Sequence, residues 1–156
     1  MAKTKSNPRI SLKIRIPHVI LDTRTADPSL VDALLPGLEE LGARFKVLGP
    51  GAKTLPHVFS LEEAMEESHI WVNLSGSLPK EFTMIVDNGI VPVMLAGLHR
   101  SAQNYSAVAE EGNAFLFQKL SSWHVYAALV RALENFAFSY DWENLRTQGR
   151  ELMVKS

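Results

Sequence analysis

His69-Ile70-Trp71-Val72-Asn73-Leu74, then Ser75-Gly76-Ser77-Leu78-Pro79, then a helical stretch to about Asn88, then Ile90-Val91-Pro92-Val93-Met94-Leu95: this segment decides the fold. Two short apolar runs, each bounded by turn residues, read as buried strands, and the amphipathic stretch between them reads as the helix that joins them. A strand, a crossover helix and a second strand make a parallel pair.

The same alternation continues in both directions. Upstream, His18-Val19-Ile20-Leu21 reads as a first strand. Leu30, Leu34, Leu38 and Leu41 recur at helical spacing after it, with Ser29 as the cap, Gly42 as the stop and Pro36 placed to kink the helix. Phe45-Lys46-Val47-Leu48 is a second strand closed by Gly49-Pro50-Gly51, and His57-Val58-Phe59 a third. Ser60-Leu61-Glu62-Glu63 has the form of a capping box and predicts a helix to about Ser68. Downstream, Ala114-Phe115-Leu116-Phe117 is a sixth strand, and helices near Ser122–Ser139 and Asp141–Val154 close the chain. Six strands alternating with helices predict one three-layer α/β/α domain, Rossmann-like, with a mostly parallel sheet over residues 17–156. In such a sheet, ligands sit at the carboxyl ends of the strands, near the point where strand order reverses. The loops Asp22–Asp27, Gly49–Pro56, Ser75–Pro79 and Ala96–Asn104 are therefore the ones to inspect.

Residues 1–16 form a separate basic arm. Lys3, Lys5, Arg9, Lys13 and Arg15 lie there without an acid, and Ile10, Leu12, Ile14 and Ile16 alternate with polar residues. This pattern suits a solvated terminus running into an edge strand guarded by its charges. An arm for an anionic partner and an edge for a second copy of the chain are the other readings.

Composition narrows the function. The 156 residues are 46% hydrophobic and 21% charged, with a formal net charge of -1 and no cysteine. Disulfides and thiolate chemistry are excluded, and no overall charge draws the chain to nucleic acid. There is no apolar run of the roughly 20 residues that a membrane span needs, so no membrane partner is expected and a cytoplasmic location is. The five histidines lack metal-ligand spacing, no metal site is expected, and His18, His57 and His69 fall at strand starts, away from the ligand edge. No G-x-G-x-x-G follows the first strand and there is no Walker loop, so no cofactor is expected. Arg24, just past the first strand, could hold a diphosphate in a fork or pair with Asp22 or Asp27. Gly97, after the fifth strand, could let backbone N–H groups approach an anion. Glu110 and Glu111 read as a solvated turn. Trp123 and Trp142 read as helix-packing residues, with sugar stacking as the alternative.

The second half resembles a known family. Asn88-Gly89-Ile90-Val91-Pro92-Val93, Ala96-Gly97-Leu98-His99, Asn104-Tyr105 and the run Glu110 to Phe117 come in the order of the bacterial glycogen and starch synthases. Ser121-Ser122-Trp123, the run Ala127 to Leu133, and Trp142-Glu143-Asn144-Leu145 follow that family's closing helices. Ala33-Leu34-Leu35-Pro36-Gly37-Leu38, Leu41-Gly42 and Val47-Leu48-Gly49 extend the resemblance more loosely, from Pro17 to Met153. It implies the C-terminal, donor-side half of a GT-B glycosyltransferase, which would hold ADP-glucose or UDP-glucose.

The family's site motifs are mostly missing. Arg24 stands where the family has a phosphate-clamping arginine, but the loop after it carries no lysine-glycine pair. Gly76, within Ser75-Gly76-Ser77, stands where the family has the glutamate of E-P-C-G. Leu95-Ala96-Gly97-Leu98 stands where it has T-G-G-L. Arg24, Gly97 and Leu98 are thus the expected donor-phosphate contacts, and Ser75, Gly76 and Ser77 the loop at the former donor-sugar position. No catalytic residue is expected. The resemblance implies a half-domain without transferase activity of its own that binds a partner or a sugar-nucleotide-like ligand. Two alternatives stay open: the donor-binding subunit of a split glucosyltransferase completed by a second GT-B half, and an oligomerisation or scaffold module that pairs with itself.

Overall fold

The computed structural model describes residues 15–154. Strand β1 (His18–Asp22) leads into helix α1 (Pro28–Leu38), followed by β2 (Arg44–Leu48), β3 (His57–Val58), the short helix α2 (Leu61–Met65) and β4 (Ile70–Asn73). Helix α3 (Phe82–Asp87), β5 (Val91–Leu95), β6 (Phe115–Phe117), α4 (Ser122–Phe136) and α5 (Ser139–Gly149) complete the order, with a π-helical turn at Arg150–Val154. The six strands form one sheet in the order β3-β2-β1-β4-β5-β6, and every pair in it is parallel. The chain winds outward from β1 to β3, crosses back, and winds outward again from β4 to β6. The reversal falls between β1 and β4, where the carboxyl ends of the two strands open a crevice.

Alternation along the strands divides the core in two. Val19, Leu21, Val47, Val72 and Val93 face α1, α4 and α5, packed through Leu34, Leu129 and Leu145. Ile20, Trp71 and Met94 face α2 and α3, packed through Leu61, Phe82 and Ile85. Each fully buried aliphatic side chain contributes about 1.5–3 kcal/mol.

Several local readings change. The cap of α1 is Asp27, whose carboxylate accepts the Ser29 N–H at 2.9 Å, with Pro28 in the first helical turn. Pro36 lies inside α1, which tightens into a 3-10 turn at Glu39–Leu41 and ends where Gly42 adopts φ 67°. Ser60 caps α2 by accepting the Glu63 N–H at 3.1 Å, while the Glu63 carboxylate reaches past the cap to accept the Phe59 N–H at 2.9 Å. Helix α2 stops at Met65 rather than near Ser68, because Glu66 is extended and Glu67 turns to φ 59°. Of the expected edge strand, Ile10–Ile14 lie outside the described residues; Arg15 and Ile16 are in no strand. The Arg15 guanidinium lies 4.2 Å from the centre of the Phe136 ring and donates to the Phe136 carbonyl.

Among the described residues, no helix is long and apolar enough to cross a membrane, and no group of three or more His, Cys, Asp or Glu side chains could hold a metal ion.

Candidate functional site

The sheet's carboxyl edge is built by the exits of β1 and β4. Asp22, at the end of β1, is buried, as is Thr23 after it. Thr23 is pinned to the neighbouring β2 exit: its N–H donates to the Leu48 carbonyl at 2.9 Å and its hydroxyl to the Pro50 carbonyl at 2.7 Å. Gly49 permits this approach. At φ 125°, a Cβ there would meet the Thr23 hydroxyl at 2.5 Å and the Arg24 nitrogen at 2.7 Å.

Arg24 is held by carboxylates. Its Nε donates to Asp22 Oδ1 at 3.0 Å and its Nη2 to Asp22 Oδ2 at 2.8 Å, a two-pronged pair. Nη1 lies 3.6 Å from Glu81. The hydrogen bond that it donates to Asp22 is the largest influence holding the guanidinium above its ordinary pKa. Asp22 is itself fixed from below by the Trp71 indole N–H, which donates to Oδ2 at 3.0 Å. Parallel pairing of β1 with β4 sets Ile20 beside Trp71 and Asp22 beside Asn73, so the ring and the carboxylate share one face.

Across the crevice, Asn73 organises the β4 exit. Its Nδ2 donates to the Ser77 carbonyl at 3.0 Å and its Oδ1 accepts the Ser75 N–H at 3.3 Å. The Ser75 hydroxyl accepts the Ser77 N–H at 3.2 Å. The loop expected at a donor-sugar position thus spends much of its polar capacity on itself.

Among the described residues, depressions open on this edge on either side of the β1 exit. One, of about 310 Å³, lies between the β1 exit and the start of α3; Asp22, Arg24, Asn73, Ser77, Lys80 and Glu81 are in its wall. Its two cations and two carboxylates cancel formally. The other, of about 450 Å³, lies between the starts of α1 and α4 and includes Ser75 and Gly76. The expected site residues therefore separate. Arg24 and Ser77 share the first depression and Ser75 and Gly76 the second. Gly97 and Leu98 line neither, although Gly97 does adopt φ 91° with open space around it.

The remaining candidates sort by contact. His69 Nδ1 accepts the His18 N–H at 3.0 Å, and its ring lies 4.6 Å from Phe136. Desolvation, above all, pushes its pKa down to about 4. His57 binds the Leu55 and Gly51 carbonyls. Both are structural, at the strand starts or in an adjoining loop. Glu110 and Glu111 are exposed in a turn. Trp142 is buried and meets Phe136 edge-on at 5.1 Å. Trp123, read as a packing residue, is 81% exposed at the start of α4. The buried stripe Val125, Ala128, Leu129 and Ala132 points the other way round the helix, a signal already present in the spacing.

No family model matches the sequence, and no curated protein matches it. Solved structures do. The chain is similar to the catalytic domain of starch synthase IV from Arabidopsis thaliana bound to ADP and acarbose, with TM-score 0.66 and 19% identity, over 90% of this chain and 35% of that one. It is similar to the catalytic domain of cholesterol-α-glucosyltransferase from Helicobacter pylori, with TM-score 0.59 and 14% identity, over 90% of this chain and 99% of that one. It is also similar to a glycosyltransferase from Rickettsia africae, with TM-score 0.62 and 8% identity, over 94% of this chain and 45% of that one. At these identities the likeness concerns the fold: one Rossmann-like half of GT-B type. The chain spans about a third of the starch synthase chain it matches.

Proposed function

We propose that this chain is a GT-B-type half-domain without transferase activity of its own, acting by binding a sugar-like ligand. The observation that carries the reading is the capture of Arg24 by Asp22 and Glu81. Glycosyl transfer from a nucleotide sugar expels a diphosphate, so the site must supply positive charge and N–H donors to the leaving oxygens as they gain charge. Removing one preorganised donor from such a site raises the barrier by about 2.7–4 kcal/mol. Here the guanidinium is already neutralised by a bidentate carboxylate, a second carboxylate lies beside it, and the loop after it has no lysine. A diphosphate entering this depression would have to displace Asp22 from Arg24 and then sit against two carboxylates. The fold's likeness to a starch synthase that holds ADP and acarbose supports a carbohydrate as the ligand class. The test is a glucan-extension assay of the purified chain with ADP-glucose or UDP-glucose as donor and maltoheptaose as acceptor. No product above background is expected; enzyme-dependent elongation would overturn the reading.

A second reading has its own observation. Arg24 and Lys80 both line the depression at the switch point, where a donor-binding subunit of a split transferase would need cations. In that case a second Rossmann-like chain co-purifies, transfer appears on mixing, and Arg24→Ala abolishes it. Transfer that survives Arg24→Ala removes this reading.

A further inference from the structure

Helices α1 and α4 pack against each other on one face of the sheet, and a groove lies between α1 and the first turns of α4. At its inner end is the depression of about 450 Å³ beside the β4 exit; at its outer end is a second of about 390 Å³. Ala33 and Ser122 stand in the walls of both, so the two adjoin. Each volume falls in the range of about 300–1,000 Å³ typical of small-ligand sites.

The lining has a definite chemistry. The inner end carries the hydroxyls of Thr25, Ser29, Ser75, Ser121 and Ser122 and the carboxylate of Asp27. The Thr25 and Ser122 hydroxyls make no hydrogen bond within the described residues. Asp27 is the sole ionised side chain among the described residues that line the groove, and hydrogen bonds from Ser29, the backbone N–H first, hold it below the usual carboxylate pKa. The outer end carries Trp123, 81% exposed, and Tyr126. Gly37 on α1 makes room for that tyrosine: a Cβ there would meet Tyr126 Cε1 at 2.8 Å. Among the described lining residues, an anionic ligand would meet Asp27 with no cation to offset it. Hydroxyls that both donate and accept, a carboxylate acceptor and an uncovered indole suit a neutral polyhydroxylated ring, whose C–H face lies on an aromatic plane while its hydroxyls bond at the edge.

We infer that the α1–α4 groove binds a neutral oligosaccharide, with Trp123 as its stacking platform and Thr25, Asp27 and Ser122 as its polar edge. This rests on the carbohydrate-binding reading and gives it a place beside the Arg24 depression, with which it shares Thr25 in its wall. Trp123 lies outside the core, so its replacement leaves the fold intact.

The experiment follows the three indole N–H signals by NMR while maltoheptaose, cellohexaose and chitohexaose are each titrated to about 1 mM, a ligand level that reports binding of about -4 kcal/mol or tighter. Trp71 and Trp142 are buried, which leaves Trp123 as the exposed reporter. At least one sugar is expected to shift the Trp123 signal saturably; in titration calorimetry with that sugar, which needs no indole reporter, Trp123→Ala is expected to weaken the binding about tenfold or more and Trp123→Phe to recover part of it. Three results would overturn the inference: no shift with any of the three sugars, binding unchanged in Trp123→Ala, or a Trp123 signal that moves with protein concentration alone and so reports self-association. Any of these leaves the absence of transferase activity untouched, whereas elongation in the glucan assay refutes that reading whatever Trp123 does.

Discussion

If Arg24 is a structural clasp, it and Asp22 must be energetically coupled, and a double-mutant cycle measures the coupling. The variants are Asp22→Asn, which keeps size and an acceptor for the Trp71 N–H, Arg24→Met, which keeps the stem, and the pair together. Asp22 has 5% of its side chain exposed and Arg24 32%, so the pair is desolvated on one side only. A hydrogen bond to a charged group contributes about 1.5–3 kcal/mol when well covered, while an exposed ion pair contributes about 0.2–1. The two-pronged geometry and the near-complete burial of the acceptor place this coupling between those limits, at about 1–2 kcal/mol. Either single change should cost about 1–3 kcal/mol, since each leaves a partner short of its bonds. Urea denaturation followed by circular dichroism reads this directly, without the ionic strength that guanidinium chloride would add; at a slope of about 2 kcal/mol per molar, the coupling alone is a midpoint difference of about 0.5–1 M. Because one partner is buried, most of the coupling should persist in about 1 M NaCl, where the screening length is about 3 Å. A coupling below about 0.3 kcal/mol, within the additivity of independent sites, would refute the reasoning and leave Arg24 free for a ligand.

Other consequences are simpler. Gly112→Ala places a methyl group 2.4 Å from both the Asn104 carbonyl oxygen and Tyr105 Cα at φ 119°, and should cost at least about 2 kcal/mol, read as a fall in melting temperature of about 5 °C or more. Leu129→Ala, at a fully buried position under β6, should cost about 2–5 kcal/mol in the same melt. His69 has a folded pKa of about 4 against an ordinary 6.5, so the unfolded chain takes up its proton first. The stability from neutral His69 is full above pH 6.5 and is lost as pH falls toward 4, and His69→Gln should flatten that part of the urea-stability profile.

The legibility of the chain varied with how local its signals were. Buried strands such as Ile70–Asn73 and Val91–Leu95 announce themselves as short apolar runs between breakers, and alternation with helices makes the parallel order nearly unavoidable. The cap of α1 was legible in Asp27-Pro28, where proline marks the first turn, although the serine two residues on is also a good cap by type. The early end of α2 was not, because Glu67 adopts a positive φ that its residue type does not advertise. At the site, pairing of Arg24 with Asp22 was one of two readings open in the sequence. What decided it is long-range: the Trp71 N–H reaches Asp22 from 49 positions away, and only the β1–β4 register brings them together. Glu81 likewise joins Arg24 only through the crevice. Gly97 and Leu98 fell away from the other candidates because the depression beside Arg24 is walled by the β1 and β4 exits and the start of α3, and the β5 exit is not in that wall.

Titration calorimetry of the wild-type chain with ADP-glucose and with UDP-glucose tests the central claim most directly. With the guanidinium already committed to Asp22, no saturable heat is expected up to about 1 mM ligand, a bound of about -4 kcal/mol on any binding. Micromolar binding of either nucleotide sugar that Arg24→Ala removes would contradict the account.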